Sequence, residues 1–179
     1  LVTSSTHFHR QAWGLKPSNN VRIHVSGVDL IRDEHGVFRV LEDNLRNPSG
    51  VSYVLENRRT LAHVLPEVFA KHRVRPITEY PERLLEALRA SANESVNDPN
   101  VVVLTPGVHN SAHYEHAFLA RYMGVELVEG RDLYCREGRV WMRTTSGPRV
   151  VDVIYRRIDD DFLDPVHLRP DSVLGVPGL

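Results

Sequence analysis

The sequence has little cysteine, no long apolar run and almost no net charge, and each shortage excludes a class of protein. One cysteine, Cys135, among 179 residues excludes an internal disulfide framework and favours a reducing compartment, so we expect a cytoplasmic protein. No apolar run approaches the roughly 18 residues of a membrane-spanning helix, so we expect no membrane partner. Because 22 basic residues are balanced by 23 acidic ones, the composition is not that of a strongly basic nucleic-acid-binding protein, and no nucleic-acid partner is expected.

The composition that remains is that of a folded protein. Hydrophobic residues make up 41% and charged residues 25% of the chain, which is near the average for globular domains. The sequence starts at Leu1 rather than methionine, and it stops in the apolar string 176–179. Both features predict a segment of a longer protein, so we expect some functional groups to lie outside it.

A β-hairpin is predicted near the start of the chain. Apolar and polar residues alternate between Val21 and Arg32, with a change of phase at Gly27 that a β-bulge would explain. Residues 33–36 are typical of a turn, and residues 37–44 are predicted to form the returning strand.

Three oxygen-bearing side chains are expected to meet on one face of this hairpin. If the four-residue turn closes symmetrically, Asp29 lies opposite Val40 and Glu42 is its diagonal neighbour. Asn44 lies one step further on the same face, because residues two apart on a strand point to the same side. Carboxylate and amide oxygens suit a hard cation such as Mg²⁺. From spacing alone, the same residues also fit an ordinary solvent-facing hairpin.

Helical regions are predicted to follow the hairpin. Apolar residues recur at helical spacing between Val51 and Phe69, and Pro66 is expected to start a second helix within that stretch. Pro81 suits the first turn of a further helix with apolar residues at 84, 85 and 88.

From residue 101 onward the pattern becomes that of a parallel sheet. Residues 101–105 form a short apolar run, as in a strand buried on both faces. A helix over 111–123 and a strand over 125–128 follow, which makes a β-α-β unit. Further on, residues 134–143 are predicted to form a hairpin and Val150 to Tyr155 one more core strand.

Polar residues follow two of these strands, where α/β sheets place their ligands. Asn110, Ser111 and His116 lie near the start of the 111–123 helix, and helix N-termini favour anions, so we expect them to face a substrate. Arg156 and Arg157 follow the last core strand. We expect one of the two to bind a carboxylate or phosphate, or else to form an ion pair with the acidic run at 159–161.

The sequence also allows two other interpretations: a zinc site formed by histidines, and a protein that binds a ligand without catalysis. His109, His113 and His116, with Glu115, have spacing that is compatible with a zinc site, although only His113 and His116 share a helix face. An α/β module that binds a peptide or a small acid and catalyses nothing would also have this pattern of strands and helices.

Longer motifs point to one family. The sequence Glu-Asp-Asn-Leu-Arg-Asn-Pro-Ser-Gly at 42–50 resembles the Glu-x-Asn-x-x-Pro-Gly segment of ATP-grasp ligases. Further blocks resemble the circularly permuted ATP-grasp family, which is related to glutathionylspermidine synthase. They lie at 24–32, 41–59, 102–107, 110–112, 115–121, 124–133 and 155–165. Together these blocks span nearly the whole chain.

The resemblance implies a fold and a reaction. The fold would be an ATP-grasp C-terminal hairpin-and-helix piece over 1–73, followed by a small Rossmann-like (pre-ATP-grasp) parallel-sheet domain over 74–179. The reaction would be ATP-dependent carboxylate–amine ligation through an acyl phosphate, with small-molecule or peptide carboxylate and amine substrates. Asp29, Glu42 and Asn44 would hold Mg²⁺ against the phosphates of ATP.

The sequence departs from this family at two points. Relatives often carry an arginine two residues before the metal-binding aspartate, where this chain has Gly27, so Arg46 is expected to take that catalytic role. Neither lysine of the chain, Lys16 or Lys71, lies in the nucleotide-clamping context that the family needs, and no glycine-rich phosphate loop is present. We expect the remainder of the ATP-grasp domain to lie elsewhere in the parent chain, and this segment alone to be inactive.

Overall fold

The computed structural model describes residues 2–6 and 8–179, which form a mixed α/β fold. The predicted fold class is therefore confirmed. The four helices of the described residues are α1 (Val51–Val64), α2 (Pro66–His72), α3 (Tyr80–Arg89) and α4 (His113–Met123). Its eight strands are β1 (Gly27–Arg32), β2 (Phe38–Asn44), β3 (Val101–Leu104), β4 (Glu126–Val128), β5 (Leu133–Arg136), β6 (Arg139–Met142), β7 (Arg149–Val151) and β8 (Val153–Arg156).

The predicted hairpin is present, but its turn differs from the symmetrical four-residue turn. Asp33 and Val37 form the closing pair, and Gly36 takes the left-handed conformation at φ 79°. The Asp33 carboxylate accepts hydrogen bonds from the backbone N–H groups of His35 and Val37 at 3.0 and 2.8 Å. Because these bonds favour a three-residue loop, Arg32 pairs with Phe38 rather than with Val37.

A β-bulge shifts the register a second time, near the middle of β1. Leu30 pairs with Val40, whereas Asp29 pairs with Glu42, so β2 contains one extra residue at this point. The predicted bulge at Gly27 and the pairing of Asp29 with Val40 are therefore both wrong. The two shifts together place Asp29 directly opposite Glu42 instead of diagonal to it.

Prolines lie in the first turns of two helices, as the sequence predicts. Gly50, at φ 110°, precedes α1, and Pro66 lies in the first turn of α2. Pro81 lies in the first turn of α3, which buries Leu84 and Leu88 against the sheet. A proline is tolerated in a first turn because its missing N–H would have no helical partner there.

The predicted β-α-β unit forms a three-stranded parallel sheet in the order β4-β3-β8. Val102 pairs with Glu126 of β4 and with Ile154 of β8. Every residue of β3 is buried, with an exposed fraction between 0% and 3%. This burial on both faces explains why β3 reads as a continuous apolar run.

The single strand predicted from Val150 to Tyr155 is wrong, because it divides into β7 and β8, which belong to different sheets. Asn100 causes the division. Its carbonyl accepts from the N–H groups of Asp152 and Val153, and its own N–H donates to the Asp152 carboxylate at 2.8 Å. The Asn100 side chain also donates to the Val150 carbonyl at 2.6 Å. These bonds turn the chain from the antiparallel sheet β5-β6-β7 into the parallel sheet.

One core connects the helices of both halves of the chain. Val51 and Leu55 of α1 pack against the cluster that contains Leu84, Phe118 and Val153. The division into residues 1–73 and 74–179 stays a prediction. None of the helices within the described residues has the length and apolar character needed to cross a bilayer.

Gly175 provides a test of the packing between the last loop and the sheet. A Cβ at this position would collide with the carbonyl oxygens of Phe162 and Leu163. We expect Gly175→Ala to lower the free energy of unfolding by at least about 2 kcal/mol, because backbone atoms must move. Gly138→Ala, at an open position with φ 70°, serves as the control and is expected to cost about 1 kcal/mol. Urea unfolding measures both, and equal losses would contradict the packing described.

Candidate active site at the hairpin and the edge of the parallel sheet

The hairpin brings the three predicted metal ligands to one face. Asp29 lies directly opposite Glu42, and Asn44 lies two residues beyond Glu42, opposite Gly27. Directly paired residues and residues two apart on a strand share a face, so all three side chains project to the same side. All three residues are exposed.

The opposite face of the hairpin is different in chemistry. It carries Val28, Leu30, Phe38 and Val40, which are between 47% and 68% exposed. Asp43 pairs with Val28 and therefore also belongs to this face. The polar face with Asp29, Glu42 and Asn44 and this apolar face are thus the two sides of the same two-stranded sheet.

The donor set on the polar face fits Mg²⁺. Two carboxylates and one amide oxygen are hard ligands, and Mg²⁺ in nucleotide enzymes is held by one or two carboxylates with phosphate oxygens completing its shell. A soft ligand is absent from this face. The assignment of these residues as metal ligands stays a prediction.

Gly27 is a structural requirement of this hairpin. A Cβ at this position would lie 2.9 Å from the Cβ of Pro48, which is closer than two carbons can pack. An arginine at position 27, which the resemblance described above implies, would therefore displace the loop that follows β2. The close approach of Gly27 and Pro48 connects the start of β1 to this loop.

Arg46, the predicted catalytic arginine, forms an ion pair across the chain. Its Nε donates to Oδ1 of Asp160, and Nε2 of His9 lies 2.7 Å from the other oxygen of Asp160. Burial alone would raise the pKa of Asp160, but the hydrogen bonds from His9 and Arg46 outweigh it and lower that pKa. The acidic run at 159–161 therefore pairs with Arg46, and the expectation that it pairs with Arg156 or Arg157 is wrong.

Arg157 pairs instead with Glu115, deep in the molecule. Nη2 of Arg157 donates to Oε1 of Glu115 at 3.0 Å, and the two side chains are 2% and 1% exposed. Sequence reasoning places Glu115 with the histidine cluster and does not predict its pairing with Arg157. The available signal was its position in α4, since a carboxylate three and four residues before Phe118 and Leu119 falls in the apolar phase of that helix.

The other oxygen of Glu115 caps helix α1. Oε2 accepts from the backbone N–H groups of Gly50 and Ser52 at 2.7 and 3.2 Å, and from the Ser52 hydroxyl at 3.0 Å. A carboxylate is favourable there because the first N–H groups of a helix lack helical partners. Arg157 also donates to the Pro48 carbonyl at 2.6 Å. The buried pair thereby holds the loop 47–50 against the parallel sheet.

A cavity of about 250 Å³ lies beside this pair, at the carboxyl ends of β3 and β8. Three predicted substrate residues, Asn110, His116 and Arg157, line it together with Asn47 and Ser49 of the loop after the hairpin. The other two predicted substrate residues lie elsewhere: Ser111 is exposed outside this cavity, and Arg156 lines a neighbouring one.

His116 is buried and neutral. Its Nδ1 lies 2.8 Å from the Thr105 hydroxyl, and the residue is 1% exposed. Burial, followed by the nearby positive charge of Arg157, lowers the pKa of His116 to about 4. In the chain apart from residues 1 and 7, the set of three histidine, cysteine, aspartate or glutamate side chains with ligand atoms within 4.8 Å of one another is His9, Asp160 and Asp161. The alternative zinc site at His109, His113 and His116 is therefore wrong.

The low pKa of His116 predicts a loss of stability in acid. The folded state holds this imidazole neutral down to about pH 4, whereas the unfolded chain protonates it near pH 6.5. Between these values the unfolded state binds more protons, so the free energy of unfolding falls as the pH is lowered. We expect His116→Gln to flatten this part of the stability profile, with His63→Gln, at an exposed position of α1, as control. Urea titrations from pH 7 to pH 4 give the slopes, and an unchanged slope in His116→Gln would contradict the assignment.

The Glu115–Arg157 pair predicts a large penalty for removing one charge. In Glu115→Gln the Arg157 guanidinium stays buried without its counter-charge, so we expect the free energy of unfolding to fall by about 3 kcal/mol or more. Glu126→Gln removes a carboxylate from the exposed pair with Arg149 and should cost less than about 0.5 kcal/mol. Chemical denaturation of the two variants makes the comparison. Similar losses of unfolding free energy in both would show that the buried pair contributes no more to stability than the exposed pair.

Comparison with known proteins agrees with these motifs. The model of the family described as "A circularly permuted ATPgrasp" matches residues 1–179. Uncharacterized protein Rv2411c of Mycobacterium tuberculosis is 69% identical over 179 residues, which are 100% of this chain and 32% of the relative. Uncharacterized protein sll0335 of Synechocystis is 54% identical over 179 residues, which are 100% of this chain and 37% of the relative.

A more distant relative matches a similar region. Uncharacterized protein Rv2567 of Mycobacterium tuberculosis is 38% identical over 170 residues, 95% of this chain and 19% of its own length. The chain thus spans about a third or less of the length of these curated relatives. Because the family model covers every residue, the chain belongs to the circularly permuted ATP-grasp family.

Proposed function

We propose that this chain supplies the metal-holding hairpin and part of the substrate site of an ATP-dependent carboxylate–amine ligase. In the proposed reaction a carboxylate attacks the γ-phosphate of ATP, which releases ADP and forms an acyl phosphate. An amine then attacks the acyl carbon, loses a proton and displaces inorganic phosphate, which leaves an amide. The observation that carries the proposal is the single polar face with Asp29, Glu42 and Asn44, followed by a loop that is fixed to the parallel sheet.

The chain's own residues divide the work of this reaction. Asp29, Glu42 and Asn44 would hold Mg²⁺, which when bound neutralises charge on the phosphates of ATP. Arg46 would stabilise the transferring phosphoryl group, and this role requires its guanidinium to leave or share Asp160. These roles are consistent with the exposed position of the polar face, which leaves it accessible to a nucleotide held by other parts of the ligase.

The cavity beside Arg157 is the proposed site for an acid or amine substrate. Its lining offers the amides of Asn47 and Asn110 and the hydroxyl of Ser49. The buried Nε of Arg157 has no hydrogen-bond partner within the described part of the chain, so this guanidinium, which lines the cavity, keeps one unused donor. His116 would contribute a neutral imidazole, and Thr105 fixes its ring orientation.

The second candidate function is a binding module without catalysis. The observation in its favour is that Lys16 and Lys71, the two lysines of the chain, lie outside both the hairpin and the cavity. For this chain on its own, we expect neither ATP turnover nor micromolar ATP binding, because the groups that clamp a nucleotide are missing from it. Calorimetry with ATP and Mg²⁺ tests this expectation, and micromolar affinity would contradict it.

A substitution pair on β2 tests the catalytic proposal in the full-length ligase. Glu42→Gln removes one of the two carboxylates of the polar face, so we expect the rate of ADP release at saturating Mg²⁺ to fall by about 100-fold or more. Asp43→Asn makes the same chemical change at the next residue, which projects to the apolar face, and should leave the rate within about threefold.

Stability measurements separate catalysis from folding in this pair. Both residues are exposed, so both variants should melt close to the wild type, with Glu42→Gln slightly higher because it removes a carboxylate that repels Asp29. Equal rates in Glu42→Gln and wild type, or equal losses in both variants, would remove the basis of the metal assignment. ATP hydrolysis that needs no added acid and amine would contradict the ligase reaction itself.

A further inference from the structure

A second cavity, of about 210 Å³, lies on the other side of Arg157. We call it the arginine cavity, because Arg22, Arg46, Arg156 and Arg157 all line it, together with His24. None of the described residues that line it is aspartate or glutamate. A cavity with several cationic side chains and no acidic one attracts an anion.

Two of these arginines are already neutralised by the protein. Arg46 pairs with Asp160, and Arg157 pairs with the buried Glu115. Their positive charges are therefore matched before any ligand arrives.

The other two arginines have no carboxylate partner. Arg156 donates from Nη1 to the carbonyl of Ile158 at 2.8 Å and forms no ion pair within the described residues. Arg22 is exposed and makes neither a hydrogen bond nor an ion pair in that part of the chain. The cavity thus keeps two unmatched guanidinium groups, and each offers donors that suit a carboxylate or phosphate.

The floor of the arginine cavity is apolar. Leu88 and Val153, which are 5% and 8% exposed, line it beneath the basic side chains. An inorganic polyphosphate would use only the cationic rim, whereas an organic acid would use the rim for its charge and the floor for its carbon chain. The lining therefore favours an organic anion.

The position of Arg46 relates this cavity to the hairpin. Arg46 follows the predicted metal ligand Asn44 by two residues, so the Arg46 end of the cavity is the end next to the polar face. A carboxylate that reacts at that end would leave the charges of Arg22 and Arg156, further along the cavity, without a partner.

We infer that the arginine cavity binds a second, non-reacting anionic group of the acid substrate. This inference rests on the proposed function and specifies its substrate class: an organic acid with at least two negative groups, of which one is activated and the other is held by Arg22 and Arg156. The second group is a carboxylate or a phosphate ester, and both have the charge and acceptor geometry that guanidinium groups recognise.

Calorimetry on the full-length protein, without ATP or Mg²⁺ and at constant ionic strength, tests the inference with four probes. Glutarate carries two carboxylates, butyrate carries one, and pyrophosphate carries charge without a carbon chain. We expect glutarate to bind at least about tenfold more tightly than butyrate, because the second carboxylate gains a charge-assisted hydrogen bond. The fourth probe, 3-phosphoglycerate, carries one carboxylate and one phosphate ester, and its comparison with glutarate separates a phosphate ester from a carboxylate as the preferred second group.

Charge-matched variants locate the binding. Arg22→Gln and Arg156→Gln should each weaken glutarate binding about tenfold. Arg75→Gln removes the same charge at an exposed position outside the cavity and should leave the affinity unchanged. Arg156→Lys keeps the charge and should restore part of the loss, and melting curves confirm that each variant is folded.

Three results would overturn the inference. Glutarate and butyrate binding equally, or all three glutamine variants losing equal affinity, would show a diffuse field rather than a site. Pyrophosphate binding more tightly than glutarate, with ATP as competitor, would assign the cavity to the nucleotide.

The two proposals fail in distinguishable ways. Glutarate binding that depends on Arg22 and Arg156, in a protein without ligase activity, would support the cavity and reject the ligase. Ligase activity in which Arg22→Gln and Arg156→Gln leave the KM of the acid unchanged would reject the cavity assignment alone.

Discussion

The buried ion pair between Arg157 and Glu115 is the interaction on which the rest of this structure depends. Burying two charges is unfavourable unless each is paired and hydrogen-bonded, and here both are. Glu115 accepts four hydrogen bonds, and Arg157 donates to Glu115, to the Pro48 carbonyl and to the Tyr155 hydroxyl. Because Glu115 belongs to α4 and Arg157 follows β8, the pair connects the parallel sheet to the first turn of α1 and to the loop after the hairpin.

The same pair sets the chemistry of its surroundings. Its guanidinium lies between the two cavities, and its positive charge adds to the burial that keeps His116 neutral. It also places the loop 47–50 against the sheet, where Gly27 lets β1 approach Pro48. The position of the hairpin relative to the sheet is therefore a consequence of one charged contact and one missing side chain. Loss of the charged contact, or a side chain added at Gly27, would therefore move the polar face without changing any residue on it.

The sequence predicts those features that local patterns determine and misses those that distant contacts determine. Strand β3 is predictable because its burial on both faces leaves a continuous apolar run. The shared face of Asp29 and Glu42 is predictable from the period of two. The predicted register is wrong, because the Asp33 side chain selects a shorter loop and a bulge between Asp29 and Leu30 adds a second shift. The division of β7 from β8 depends on Asn100, about 50 residues away, and the partner of Arg157 lies 42 residues away. No local pattern reports such contacts.

The placement of charges on the polar face of the hairpin is unfavourable for the stability of the fold. The bulge places Asp29 directly opposite Glu42, where Cβ atoms lie about 5 Å apart and like charges repel. An exposed two-stranded hairpin is marginal even without such repulsion. A diagonal arrangement, as the simpler register would have produced, would separate the two carboxylates further. A fold selected for stability alone would avoid this pairing, whereas a site that needs two carboxylate oxygens on one cation requires it. The conflict between local stability and charge placement is therefore an independent physical argument for a cation at this face.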